Sequence, residues 1–379
     1  MSTAEPKREN MKPISLFALS VFVSVYAASA HAAPTTVYAN SISAHNIAAM
    51  QHTIMNNTIR SFSGTMAAAL GSRGELQYEK KSPAPQKISI DQYGRMPEYG
   101  TMPLYGEYGD DGSVFGRGGG DMGSRPTING MWLNWQHVGD DAKFDHMDTL
   151  DSDYNVIMFG LSGGDAQFGN GITDWGMFGG YAGGTQTNNT LDITENGGYV
   201  GFYNGYAWGG LNISLIANAG AMYNSAEFDT GTDEYANMWV GGAINAAYNI
   251  ALDATFTLQP NVYAGYTWIK SANYTSTDGA HIANQNFNMF EVAPGVRAIK
   301  QISRGWFGFI GAKYVFNFAH GGDTVVDNIK LDELEMNDYS EYGLGIETSV
   351  DRFNMSINVG RRDGGRTGWT FGTSLKYLF

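Results

Sequence analysis

The stretch Leu252-Asp253-Ala254-Thr255-Phe256-Thr257-Leu258-Gln259-Pro260-Asn261-Val262-Tyr263-Ala264-Gly265-Tyr266-Thr267-Trp268 alternates along its whole length. Every even position is apolar, and the odd positions include Asp253, Thr255, Thr257, Gln259 and Asn261. A period of two sends successive side chains to opposite faces of a strand. Strands of soluble domains usually run about 3–10 residues, whereas a tilted strand needs about 9–11 to cross a bilayer. A run of this length therefore reads as a membrane strand, apolar toward lipid and polar or Gly toward a wet lumen. The last segment repeats the pattern, with Trp369, Phe371, Thr373, Leu375, Tyr377 and Phe379 on one side and Thr370, Gly372, Ser374 and Lys376 on the other.

Working outward, twelve such segments fall at 129–138, 153–163, 173–184, 194–206, 209–223, 236–249, 252–268, 285–299, 305–317, 339–349, 352–360 and 367–379. Long connections (139–152, 224–235, 269–284, 318–338) alternate with brief ones (207–208, 250–251, 300–304, 350–351) over most of the chain. That is the expected rhythm of long extracellular loops and short periplasmic turns. Three long loops are acidic: 139–152 holds five Asp and one Lys, 224–235 four acids and no base, and 318–338 six acids and one Lys. The sequence thus predicts an all-β membrane protein, a 12-stranded antiparallel transmembrane β-barrel over 127–379, with both barrel ends in the periplasm. A Pro at 260 in a central strand would by itself argue against strand structure there.

Composition agrees. The chain has 50 Gly, 8 Trp, 22 Tyr, 20 Phe and no Cys, and only 16% of residues are charged. No run beyond the N-terminus reaches the about 20 apolar residues of a membrane helix. Lys7, Arg8 and Lys12 precede the apolar run Pro13 to Ala30, and Ala30-His31-Ala32 has the small-x-small pattern of a cleavage site, so 1–32 reads as a signal peptide, with Met11 as an alternative start. Without those three bases and two acids, 20 Lys+Arg face 35 Asp+Glu, a net −15. Such a chain has no basic face for nucleic acid.

Residues 33–70 form a short N-terminal segment with an amphipathic helix at 42–70, carrying an apolar stripe through Ile47, Met50, Ile54, Met55, Ile59, Phe62, Met66 and Leu70 and ending at Gly71. At about 1.5 Å per residue it would measure roughly 43 Å, close to a bilayer with its headgroups. It either plugs the pore or rests in the periplasm or on the barrel mouth. Residues 71–126, rich in Gly, Pro and Tyr, read as a linker. On strand parity the charges Glu291, Arg297, Lys313, Glu347 and Lys376 point into the lumen. Arg60 is the only charge of the helix and is expected to pair with Glu291 or Glu347 inside the pore.

No metal-ligand spacing, P-loop or dinucleotide fingerprint appears, so no cofactor, metal or catalytic residue is assigned and the chain reads as not an enzyme. A phospholipase would need a nucleophile and a base at the lipid face, for which His137 is the sole base by parity. A rim protease would use Asp–His pairs, superficially Asp145-His146 and Asp323 with His320. A passive porin-like pore is the stronger alternative.

Residues 127–379 resemble an autotransporter β-domain, in Gly130-Met131-Trp132 at the start, Asp174-Trp175-Gly176-Met177-Phe178-Gly179-Gly180-Tyr181 in the third strand and Leu258-Gln259-Pro260 with Tyr263 and Tyr266. The ending Leu375-Lys376-Tyr377-Leu378-Phe379 resembles the family's assembly signal, carried by Leu375, Tyr377 and Phe379. The resemblance implies a monomeric barrel in the Gram-negative outer membrane, in contact with its lipid and lipopolysaccharide. It implies partners in the barrel-assembly machinery and periplasmic chaperones, and a function of translocating or anchoring an N-terminal segment at the surface. A trimeric relative is excluded, since each of its chains supplies only four strands. The sequence departs from the family at its front, where only 33–41 precede the helix and no β-solenoid repeat is found, so the passenger is very short or absent.

Overall fold

The computed structural model describes residues 34–79, 128–145, 147–163, 166–168, 171–350 and 352–379, with helix side chains from 37 to 60. The expected signal peptide and most of the expected linker lie outside the described residues. Among the described residues one helix, α1 (Pro34–Glu79), precedes twelve long strands. These are β1 (Ile128–Ala142), β2 (Leu150–Gly163), β3 (Gly171–Thr187), β4 (Asp192–Trp208), β5 (Leu211–Phe228), β6 (Gly231–Tyr248), β7 (Phe256–Ser271), β8 (Gln285–Ser303), β9 (Trp306–His320), β10 (Tyr339–Val350), β11 (Phe353–Gly364) and β12 (Arg366–Leu378). Each pairs antiparallel with its neighbour in the chain. β12 returns to β1 in a continuous register from Gly130↔Leu378 to Ala142↔Arg366, which closes the ring.

The burial pattern is that of a soluble protein turned inside out. Large apolar side chains such as Phe159, Val200 and Ile310 stand exposed on the outer face, while Asn134, Gln136, Gln186, Asn218 and Gln259 are buried on the inner one. In lipid every backbone polar group must be paired internally, and a closed ladder achieves this without a free edge. Glycines let neighbouring strands approach inward aromatics: a Cβ on Gly160 would sit 2.1 Å from the Trp132 indole, and one on Gly220 2.2 Å from that of Trp239.

Several elements differ from the sequence reading. Residues 252–255 do not belong to β7. The Asp253 carboxylate accepts the Thr255 amide at 2.6 Å, and the amides of Leu252 and Asp253 both reach the carbonyl of Phe256. A local side-chain turn of this kind outcompetes the ladder despite the unbroken alternation. Pro260 makes no register shift with β8, where it faces Val296. On its other side the β6 ladder stops at Ala247↔Asn261 and resumes only at Ile250↔Leu258, so the missing N–H falls in a gap. The expected long loop 224–235 is a two-residue turn, because β5 and β6 extend to Phe228 and Gly231. Helix α1 begins before 42 and runs past Gly71 to Glu79. Pro is well placed in a first turn, and one Gly inside a helix costs only about 1 kcal/mol relative to Ala.

The end of the barrel with the longer connections carries a lid of its own. The pairs Tyr274–Thr275, His281–Ile282, Val325–Val326 and Ile329–Lys330 form a four-stranded sheet from loops 272–284 and 321–338. Asp327 and Asn328, at φ 49° and 68°, make the tight hairpin turn that suits such residues. A bridge from Phe144 to Met336 ties in the loop after β1. The opposite end holds the start of β1 and the end of β12.

Candidate functional site

The site is the lumen and what fills it. From Ala39 to Thr58 the side chains of α1 are buried, all but Asn56 nearly completely. They contact strands on every side of the ring, from Asn134 on β1 to Glu195 on β4, Tyr235 on β6, Glu291 on β8 and Arg362 on β11. A helix with partners all round the ring lies inside it. Its N-terminal part is held at the lid: Ser41 Oγ donates to the Gly322 carbonyl and meets Thr324 Oγ1, each at 3.0 Å, and His45 Nε2 donates to the Leu334 carbonyl at 2.9 Å. The His45 ring also packs edge-on against Phe144 and Phe287. From there the helix runs away from the lid, and Arg60 donates to Asn358 Oδ1, midway along β11, at 3.0 Å.

Between these ends an ion-pair network follows the wall formed by β8 to β12 and β1. Asp140 on β1 receives a two-pronged contact from Arg366 on β12, at 2.7 and 2.9 Å, and a third bond from Arg362 on β11 at 2.8 Å. All three side chains are at most 2% exposed. Arg362 also donates to Glu341 on β10 at 2.8 Å, to Tyr154 and to Thr53 of the helix. Glu341 in turn holds Lys313 at 2.7 Å. Lys313 Nζ lies 2.9 Å from His52 Nε2, and His52 Nδ1 lies 3.1 Å from Glu291. An ammonium has no acceptor, so Nε2 accepts and Nδ1 donates. Asn46 spans to the far wall: its amide donates to Glu195, while its carbonyl accepts from Ser152 and Arg366. Buried charges are tolerated only when paired and hydrogen-bonded, and here the helix supplies part of the pairing.

The residues expected at the site fall as follows. Glu291 and Lys376 are buried, Arg297 pairs with Glu347, and Lys313 joins the network. Arg60 does not meet either carboxylate, because Glu291 is engaged by His52 and Glu347 by Arg297; it bonds to Asn358 instead. Leu375 and Phe379 are exposed on the outer face. The residues considered for catalysis fall as follows. His137 faces Asp153 at 3.6 Å, Asp323 is taken by Lys330 at 2.7 Å, and His146 lies outside the described residues. Sequence reasoning missed Asp140, His52, Glu341, Arg362 and Arg366. Asp140 and Arg366 fall in the connections between the predicted segments, although each continues the inward parity of its strand, from Trp132 and Gln136 or from Gly372 and Lys376.

A family model described as the autotransporter β-domain matches residues 128–360. Among solved structures the chain is similar to the β-domain of the Bordetella autotransporter Brka, with 16% identity over 66% of this chain and 100% of that one and a TM-score of 0.55. It is similar to the transport unit of AIDA-I from Escherichia coli, with 17% identity over 72% and 96% and a TM-score of 0.54. It is also similar to the translocator domain of NalP from Neisseria meningitidis, with 12% identity over 68% and 90% and a TM-score of 0.53. At these identities the likeness is one of fold. No curated protein matches the chain.

Proposed function

This chain belongs to the autotransporter β-domain family, and from that premise we propose that it is an outer-membrane translocator whose own helix α1 remains in the pore as a plug. The barrel carries an N-terminal segment to the cell surface and anchors it there. The observation that carries the reading is the direction of α1. Its N-terminal residues are gripped by the lid at Gly322, Thr324 and Leu334, and from there it runs away from the lid to Arg60, midway along β11. Such a direction is the one expected of a helix that joins a surface-displayed segment to its barrel. The assembly machinery and periplasmic chaperones are the partners that such a barrel needs, and its work is transport and anchoring, without catalysis. Planar-bilayer conductance tests the plug: the full chain should be nearly silent and a chain lacking 33–72 should form open channels. Equal conductance of the two would favour a passive pore and overturn the proposal.

A further inference from the structure

The lid is assembled from two loops that are far apart in the chain. Residues 272–284, after β7, supply Tyr274–Thr275 and His281–Ile282, and residues 321–338, after β9, supply Val325–Val326 and Ile329–Lys330. The halves meet at the pair Ile282↔Val326, with the amides of Ala283 and Asp327 bonded to the carbonyls of Val325 and His281. Each strand is two residues long. Strands usually run about 5–6 residues, and even an isolated hairpin of that size is marginal in water. The flanks of the lid are tied to the barrel, where Thr277 donates twice to Asp233, at 2.7 and 2.9 Å, and the Asp145 amide reaches the Glu335 carbonyl at 3.1 Å. Under its middle stand the N-terminal turns of α1.

The helix holds both halves at once. Ser41 and His45, four residues apart and so on one helical face, take the 321–338 half through the carbonyls of Gly322 and Leu334 and the Thr324 hydroxyl. Thr324 also accepts from Gln285 at the start of β8, at 2.7 Å. The 272–284 half is held through Tyr235 of β6. Its hydroxyl donates to the Ala39 carbonyl at 3.0 Å and meets Ser43 Oγ at 2.8 Å, while its ring stacks on Tyr274 with centroids 5.0 Å apart and planes 16° apart. Leu334 and Met336 are buried in one apolar cluster with Ala39 and Ile42 of the helix and with Phe144 and Phe287, the two rings on either side of His45. The floor of the lid therefore belongs to α1, and an element this small opens readily once its buried contacts are withdrawn.

We infer that the lid folds on the seated helix, so that the outer mouth closes only after α1 has come to rest and stays open while a chain is in transit. A chain still crossing the ring does not present Ser41, His45 and the Ala39 carbonyl together at the level of the lid. Only the helix in its final position does. The inference rests on α1 occupying the lumen, as proposed above, and the two are read separately. Amide hydrogen exchange is measured on the full chain in detergent micelles, for the parent and for Ser41→Ala with His45→Ala, beside planar-bilayer conductance of the parent. The reporters are the amides of Ala283, Asp327 and Leu331, which donate within the lid at 2.9, 3.0 and 2.8 Å. In the double variant these three should exchange at least tenfold faster than in the parent, while the amides of the β1–β12 ladder keep their rates. Lid amides as slow in the variant as in a parent silent to ions overturn the inference and leave the plug standing. Ion conductance in the parent overturns the plug and the inference together. Should the double variant fail to fold, Ser41→Ala alone removes one hydroxyl and carries the same expected acceleration at Leu331, whose acceptor is the Thr324 carbonyl; an unchanged rate there overturns the inference.

Discussion

Replacing Asp140 by Asn removes the one carboxylate shared by Arg362 and Arg366 and leaves both guanidinium groups buried at the β11–β12 side of the lumen. Breaking a buried pair by deleting one partner typically costs about 3–5 kcal/mol, so the urea midpoint of the heat-modifiable folded form of Asp140→Asn should fall clearly below that of the parent. A midpoint within error of the parent would mean that solvent screens the three groups. At this scale the sequence was only half legible. The parity of Glu291 or Lys376 can be counted from the alternation, but the partner of an inward charge depends on tilt and stagger between strands far apart in the chain. Arg60 illustrates this: helix 42–70 was readable and its single charge obvious, yet His52 takes Glu291 and Arg297 takes Glu347 before Arg60 can.

Elements depend on both of their faces. β12 sets Lys376 and Arg366 inward while Leu375 is exposed outward, and Tyr377 packs at a tilt against Phe353 and edge-on against Phe379 on the outer side. Changing Tyr377 and Phe379 together to Ser removes that aromatic girdle from the strand that must meet β1. The fraction of heat-modifiable barrel on a gel should drop sharply, and an unchanged fraction would show that these side chains are dispensable for assembly. Strand existence was easy to read because lipid enforces alternation over about ten residues. Strand ends were not. β1, β5 and β6 keep pairing beyond the apolar band, where nothing forces one face to be greasy, so 224–235 looks like a loop and folds as a hairpin. The reverse error occurs at 252–255, where the alternation continues but Asp253 closes a turn on Thr255.

For the whole molecule, the even strand number and the lid fix which residues share an end. Cysteines at Asp229 and Asp332, both exposed beside the lid, should react with an impermeant maleimide on intact cells, and one at Ser303, exposed at the other end, should not. Labelling of the last site alone would invert the barrel. The closure between β1 and β12 has a further consequence for the life of the chain. Asp140 and Arg366 stand 226 residues apart, and the carboxylate on the first strand finds its counter-charges, Arg362 and Arg366, only on the last two. A chain cut short anywhere in the ring therefore keeps two raw strand edges and a stranded carboxylate, and has no stable halfway form in which to rest. The junction acts as a proof of completeness: only an intact copy can seal itself, and every fragment stays open to the periplasmic proteases.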